Sequence, residues 1–495
     1  MKRLIVVGAG VAGLTAAVYA LQSGFDVTVL EQHSIPGGFC TAWKRKGYFF
    51  EGGMHWLTGS LETCDLNHVW REVGAIDDST VVHNFDPFFV YSDDEGDICL
   101  YRDPEKTQAH LLEIAPEDEK EIRALCRDVR RFNKMQMIVS DIKGLKVKEK
   151  QKSSFSMLSM LPLMPGIMKY SNISLKEYAA RYSNPRLRLL FEKSLMSNDN
   201  AATAMVMTLA SGASGDGGYL EGGSIMMAQK MAKKVLSLGG TIKYNTQVDK
   251  VNIKEGKVSG VTAGDEQIPA DAVIVTRDAL SSAAALFEPP LEADWIAKMA
   301  RSTKPTLDTF ICLGIEADLS CLSGKMISLA IDEPIVLGDF QFDMLGICNY
   351  SGYDDYAPPG CTAVTVILEG DTYDYWKRLK DEGSYYEEKE KLAKLVIERL
   401  SGKIPVIEGK VAVVDVATPL TYERYCGSYK GSWMTVLGKG QPPKSYPCTV
   451  DGVNGLYFAG QRIMPPGGLP VAVSTGRTAV QHLCRDNDMV FQVVK

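Results

Sequence analysis

The segment Leu4-Ile5-Val6-Val7-Gly8-Ala9-Gly10-Val11-Ala12-Gly13 restricts what this chain can fold into more than any other. An apolar strand runs into Gly8-x-Gly10-x-x-Gly13, a helical run continues to about Ser23, and Gly24 suits a left-handed C-terminal cap. A second short strand, Asp26 to Glu31, follows at once. The three glycines act differently. Gly8 permits the tight turn, Gly10 lets a pyrophosphate approach the backbone, and Gly13 lets the helix pack closely on the strand. Val11 and Ala12 then open a helix whose unpaired N–H groups face the phosphates. Glu31, 18 residues after Gly13 and followed by Gln32, ends the second strand, where its carboxylate can accept from a ribose diol and repel a 2′-phosphate. The unit is expected to bind an ADP moiety.

The same stretch has a competing reading. Met1-Lys2-Arg3 precedes an uncharged run from Leu4 to Phe25, the outline of a signal peptide or a membrane span. Three glycines inside the run and a strand directly after it argue for a folded β-α-β unit. We therefore expect a soluble, cytoplasmic protein with no export signal. At roughly 150 residues per domain, 495 residues make two or three domains, and 45% apolar content excludes a disordered chain. A net charge of −7 (54 basic against 61 acidic residues) does not favour nucleic acid. The 11 cysteines contain no CxxC pair and read as reduced thiols. None of the six histidines lies near another or near paired cysteines, so no metal site is expected.

Two further glycine clusters decide between kinds of dinucleotide. Pro36-Gly37-Gly38-Phe39 follows the second strand, then Phe50-Glu51-Gly52-Gly53-Met54-His55-Trp56. Near the C-terminus, Leu456-Tyr457-Phe458-Ala459-Gly460-Gln461 is a strand closing on glycine. It leads to Gly467-Gly468-Leu469-Pro470-Val471, the opening of a helix running to about Cys484, with Pro470 in its first turn. A two-ended cofactor, with ADP at one site and an electron-accepting ring at the other, explains both ends. The helix dipole at Leu469 to Val471 would stabilise negative charge on a reduced flavin.

These motifs resemble the FAD-containing phytoene desaturase, carotenoid isomerase and retinol saturase family, within the amine-oxidase-like flavoproteins. The resemblance covers nearly the whole chain and includes Tyr219-Leu220-Glu221-Gly222-Gly223-Ser224 and Asn245-Thr246-Gln247-Val248. It implies an α/β fold, a Rossmann-like FAD-binding domain (GR2-type) with a discontinuous α+β substrate domain. It implies FAD contacts at Gly8, Gly10, Val11, Ala12, Gly13, Glu31, Gln32, Gly37, Gly38, Phe39, Gly53, Met54, His55, Val248, Gly460, Gln461, Gly468, Leu469, Pro470 and Val471. Val248 would hold the adenine through its backbone. The chain departs from relatives at Phe39, where Arg is frequent, at Glu51, where Asp is commoner, and at Gln461, where many have Asp or Glu.

The motif positions assign 1–80, 215–290 and 450–495 to the FAD-binding domain, and 81–214 with 291–449 to the substrate-binding domain. Segment 241–280 reads as a meander of four strands. Thr309 to Ile315, Gln341 to Tyr350 and Thr362 to Leu368 read as substrate-domain strands floored by a helix from Tyr385 to Leu400.

The implied reaction is redox or isomerising chemistry at a carbon–carbon double bond of an apolar polyene, isoprenoid or long-chain lipid. His55 is the first candidate proton donor, because an imidazole titrates in the useful range. Tyr425, in Thr421-Tyr422-Glu423-Arg424-Tyr425, is the second. The saturase-like Gly53-Met54-His55-Trp56 and Gly460-Gln461 lean towards reduction or isomerisation. A flavin amine oxidase and a non-redox prenyl- or lipid-binding escort on the same fold are the alternatives. The redox partner is left open. Residues 143–168, with five lysines before a Met-rich, Pro-broken apolar run, could touch a membrane surface, or form a core segment or lid.

Overall fold

A computed structural model describes residues 1–137, 139–148, 160–194, 196–197, 199–442 and 444–494. Two sheets organise it. The first has the strand order Lys250–Lys254, Lys257–Ala263, Val453–Phe458, Ala272–Val275, Arg3–Val7, Asp26–Leu30 and Thr241–Lys243. Its central strands pair in parallel, with Leu4 opposite Ala272 and Val27, and Val273 opposite Leu456. Such strands are covered on both faces, which is why Leu4, Ile5, Val6, Val273, Ile274 and Val275 are all buried. The Rossmann-like α/β architecture is thereby present.

The expected meander over 241–280 is corrected. Only Lys250–Lys254, Lys257–Ala263 and Glu266–Pro269 pair antiparallel in succession. Thr241–Lys243 joins Asp26–Leu30, and Ala272–Val275 inserts between Arg3–Val7 and Val453–Phe458, both in parallel. A short apolar run carries no signal of its partner's direction, so chain adjacency misled the reading.

The helix Val11–Gln22 packs between the sheet and two other helices, Gly223–Ser237 and Leu469–Asp486. A side chain at Gly13 would sit 2.0 Å from the Gly8 carbonyl oxygen, so only glycine lets the helix begin this close to its strand.

The second sheet has the order Val411–Ala417, Asp308–Ile315, Thr362–Glu369, Phe340–Asn349, Met326–Leu337, Phe89–Asp93, Gly96–Leu100. It is antiparallel except where Met326–Leu337 meets Phe89–Asp93. The 12-residue strand Met326–Leu337, the longest of the sheet, was not among the expected strands; its Asp-Glu-Pro interruption at 332–334 coincides with a register shift. The helix Tyr385–Lys403 buries Leu392, Val396 and Leu400 beneath this sheet. All 11 cysteines are free. Among the described residues no helix is long and apolar enough to cross a membrane.

Candidate active site

Four parallel strands end at one long groove. Val7 and Gly8 follow the first strand, Leu30 and Glu31 the second, Thr276 and Arg277 the third, Ala459 and Gly460 the fourth; all line the groove. Ligands of open parallel sheets bind in this crevice outside the carboxyl ends of the strands.

The groove's polar groups suit a dinucleotide. The helix Val11–Gln22 starts at Gly10 with no capping side chain and no acidic residue in its first turn, leaving its N–H groups to the groove. The helix Leu469–Asp486 starts at Gly468 in the same uncapped way, with Pro470 in its first turn. Glu31 is 7% exposed, and its carboxylate accepts from Ala9 N at 2.7 Å and His33 N at 2.8 Å. Burial raises its pKa against the pull of those hydrogen bonds. Each oxygen retains a lone pair for a further donor such as a ribose hydroxyl.

Of the residues expected to touch the cofactor, Gly8, Gly10, Val11, Ala12, Glu31, Gln32, Gly37, Gly38, Phe39, Gly53, Met54, His55, Val248, Gly460, Gln461, Gly468, Leu469 and Pro470 lie on the groove wall. Gly13 and Val471 do not. Gly13 faces the Gly8 carbonyl, and Val471 is buried inside its helix turn. Phe39, where relatives often have Arg, stacks on Tyr422 with ring centroids 5.5 Å apart. Cationic charge enters the groove elsewhere, at Arg277 and Arg462. Arg462 is neutralised by Asp278 at 2.6 Å, whereas Arg277 is held by a hydrogen bond from Nε to the Gly427 carbonyl at 3.1 Å. Gln461 braces the loop before the last helix, its Nε2 donating to the Ser432 carbonyl at 3.3 Å.

Sequence reasoning missed the role of Glu51. Its carboxylate is 2% exposed and accepts from Gly53 N (2.8 Å), Met54 N (3.1 Å), Ser224 N (2.8 Å), Ser224 Oγ and Tyr219 Oη (3.1 Å). It ties the groove loop 51–54 to the start of the helix Gly223–Ser237. A side chain at Gly223 would lie 2.4 Å from Glu51 Oε2, which accounts for the glycine in that mid-chain motif.

A second cavity, of about 840 Å³, adjoins the groove and shares His55, Trp56, Trp433 and Met434 with it. Phe89, Ile167, Ile327, Phe342 and Ile347 line it with six further methionines: Met164, Met168, Met196, Met207, Met326 and Met344. Of the stretch 143–168, residues 149–159 lie outside the described residues. The helix Met164–Ser171 borders this cavity on one side while Leu161 and Met168 stand exposed.

His55 occupies the junction, but not as an acid. Burial, and then the charge of Lys325, hold its imidazole down at about 4, so it is neutral near pH 7. Lys325 Nζ donates to the His55 carbonyl at 2.9 Å and lies 3.7 Å from the Tyr219 ring centroid. Burial pulls this ammonium down to about 8. The Cys348 thiol lies 3.5 Å from His55 Nδ1. The expectation that His55 titrates in the useful range is corrected on these grounds. Tyr425 is corrected on placement: its ring is edge-on to His33, its carbonyl accepts from Gln32 Nε2 at 2.7 Å, and it is 45% exposed. It stands at the Glu31 end of the groove and contributes nothing to the second cavity.

The chain and its fold have counterparts among known proteins. The family model for flavin containing amine oxidoreductase matches residues 11–484. Prolycopene isomerase 1 of an Oncidium hybrid cultivar is 24% identical over 507 residues, covering 97% of this chain and 84% of its own length. A 1-hydroxycarotenoid 3,4-desaturase from a Flavobacterium species is 22% identical, covering 98% of this chain and all of the relative (100%). An oxidoreductase from Methanosarcina mazei superposes with a TM-score of 0.61 at 18% identity, over 97% of this chain and 100% of that one. Putrescine oxidase bound to putrescine gives 0.61 at 17% identity, over 98% and 99%.

Proposed function

Because the chain belongs to the flavin-containing amine oxidoreductase family and is an FAD-dependent oxidoreductase, we propose that it acts on a carbon–carbon double bond of an apolar, polyene or long-chain substrate. One observation carries the reading: a methionine-lined cavity of about 840 Å³ meets the cofactor groove at His55, Trp56, Trp433 and Met434. Thioether side chains adapt to long, irregular apolar ligands. The carotenoid-acting relatives support the same substrate class.

Bound FAD supplies hydride exchange at its ring. The chain's own part is positioning. Glu31 and Val248 would hold the adenosine, the N–H groups behind Gly10 and the Arg277 guanidinium the phosphates, and Gly53, Met54, Gly460, Gln461, Gly468, Leu469 and Pro470 the ring. Trp56, Trp433 and Met434, which line both cavities, would exclude water where substrate and ring meet. His55, neutral, donates at most one ring N–H and orients rather than protonates. The helix Met164–Ser171, with Met168 exposed on it and Leu161 exposed just before it, is the side by which an apolar substrate would enter, from a membrane surface or a carrier.

The test is anaerobic turnover of an acyclic polyene in detergent micelles with the cofactor pre-reduced. Reoxidation in step with product identifies a saturase, and product formed while the cofactor stays reduced identifies an isomerase. Turnover only with oxidised cofactor and an external acceptor identifies a desaturase. Steady peroxide release with amines, and no action on polyenes or unsaturated lipids, would overturn the proposal.

A further inference from the structure

The wall of the methionine-lined cavity carries two carboxyl groups among the described residues, Asp308 and Glu369. They stand directly opposite one another on neighbouring antiparallel strands, Asp308 opening Asp308–Ile315 and Glu369 ending Thr362–Glu369. Asp308 is 4% exposed, and its Oδ1 is buried with no hydrogen-bond partner among the described residues. Glu369 accepts from Ser197 N at 3.1 Å. Burial and mutual repulsion raise the pKa of Asp308, and burial raises Glu369 to about 7. Two carboxyl groups so placed do not both ionise at neutral pH, and Asp308 keeps an acceptor oxygen in either protonation state.

The third member is Trp433. Its indole N–H is close enough to Asp308 to favour the ionised carboxyl, yet Trp433 Nε1 closes no hydrogen bond and is buried. The same side chain lines both the groove and the cavity. One orphan acceptor and one orphan donor thus sit side by side on an apolar wall, where an unmade hydrogen bond costs about 1–3 kcal/mol.

We propose that Asp308, Glu369 and Trp433 form a binding site for a hydroxyl group at the end of an otherwise apolar ligand. A hydroxyl donates one hydrogen bond and accepts others, so it satisfies Asp308 Oδ1 and the Trp433 N–H together. An ether or ketone accepts only and leaves Asp308 Oδ1 unpaired. An ammonium donates only and leaves the Trp433 N–H unpaired. The inference rests on reading this cavity as the substrate cavity.

The experiment titrates the FAD-loaded protein with 1-dodecanol, 1-methoxydodecane and dodecylamine, following heat and intrinsic tryptophan fluorescence. The alcohol should bind roughly tenfold tighter than the ether, the gain of one well-made buried hydrogen bond. Asp308→Val should abolish that preference while leaving the ether's affinity in place. Trp433→Phe, which keeps the ring, should reduce the preference by roughly threefold. Should Asp308→Val not fold, Trp433→Phe and Glu369→Gln decide. Equal affinity for alcohol and ether, tighter binding of the amine, or an alcohol preference undiminished in Asp308→Val or in Trp433→Phe would each overturn the inference. Failure of all three probes to bind would remove the cavity reading with it. Selective alcohol binding without polyene turnover would remove only the proposed reaction.

Discussion

The neutrality of His55 can be weighed through stability. Its imidazole sits at about 4 in the folded protein against an ordinary 6.5, because it is buried beside Lys325. Between those values the unfolded chain holds a proton that the folded chain refuses, so stability falls as pH drops through this window. With 1.36 kcal/mol per pH unit, the loss between pH 7.5 and pH 5 is about 2 kcal/mol. Lys325, lowered from 10.5 to about 8, has the same sign, but its window lies above pH 8 and does not overlap. Equilibrium urea unfolding of the wild type and His55→Gln at both pH values isolates the term. The wild type should lose about 2 kcal/mol more than the variant. An equal loss in the two proteins would refute the reasoning, as would a His55 NMR signal titrating near 6.5.

Other perturbations follow from the groove. Glu51→Gln turns one acceptor oxygen into an NH₂ facing the donors around it, and should destabilise the protein by about 3 kcal/mol in urea unfolding, with earlier release of FAD. Gly13→Ala forces its new methyl against the Gly8 carbonyl and should cost about 3 kcal/mol or more, measured the same way and by flavin content on purification. Arg277→Met should raise the dissociation constant for FAD by roughly tenfold and flatten its salt dependence, read by fluorescence of released flavin.

The backbone of the cofactor groove was legible from the amino-acid sequence because its constraints are short-range. A strand, a tight glycine turn, a helix start and an acid at the next strand's end are all decided within about thirty residues. The same holds for Gly460 and the Gly467-Gly468-Leu469-Pro470 helix start. What only the tertiary structure decided are meetings between distant segments. The insertion of Ala272–Val275 between the first and last strands was invisible, since an apolar run does not announce its partner. Glu51 clamping Ser224 and Tyr219, Lys325 beneath His55, and Asp308 across from Glu369 all depend on packing and strand register over 50 residues or more. A side chain's protonation state follows from those meetings. Residue type alone made His55 an acid; burial beside an ammonium made it neutral.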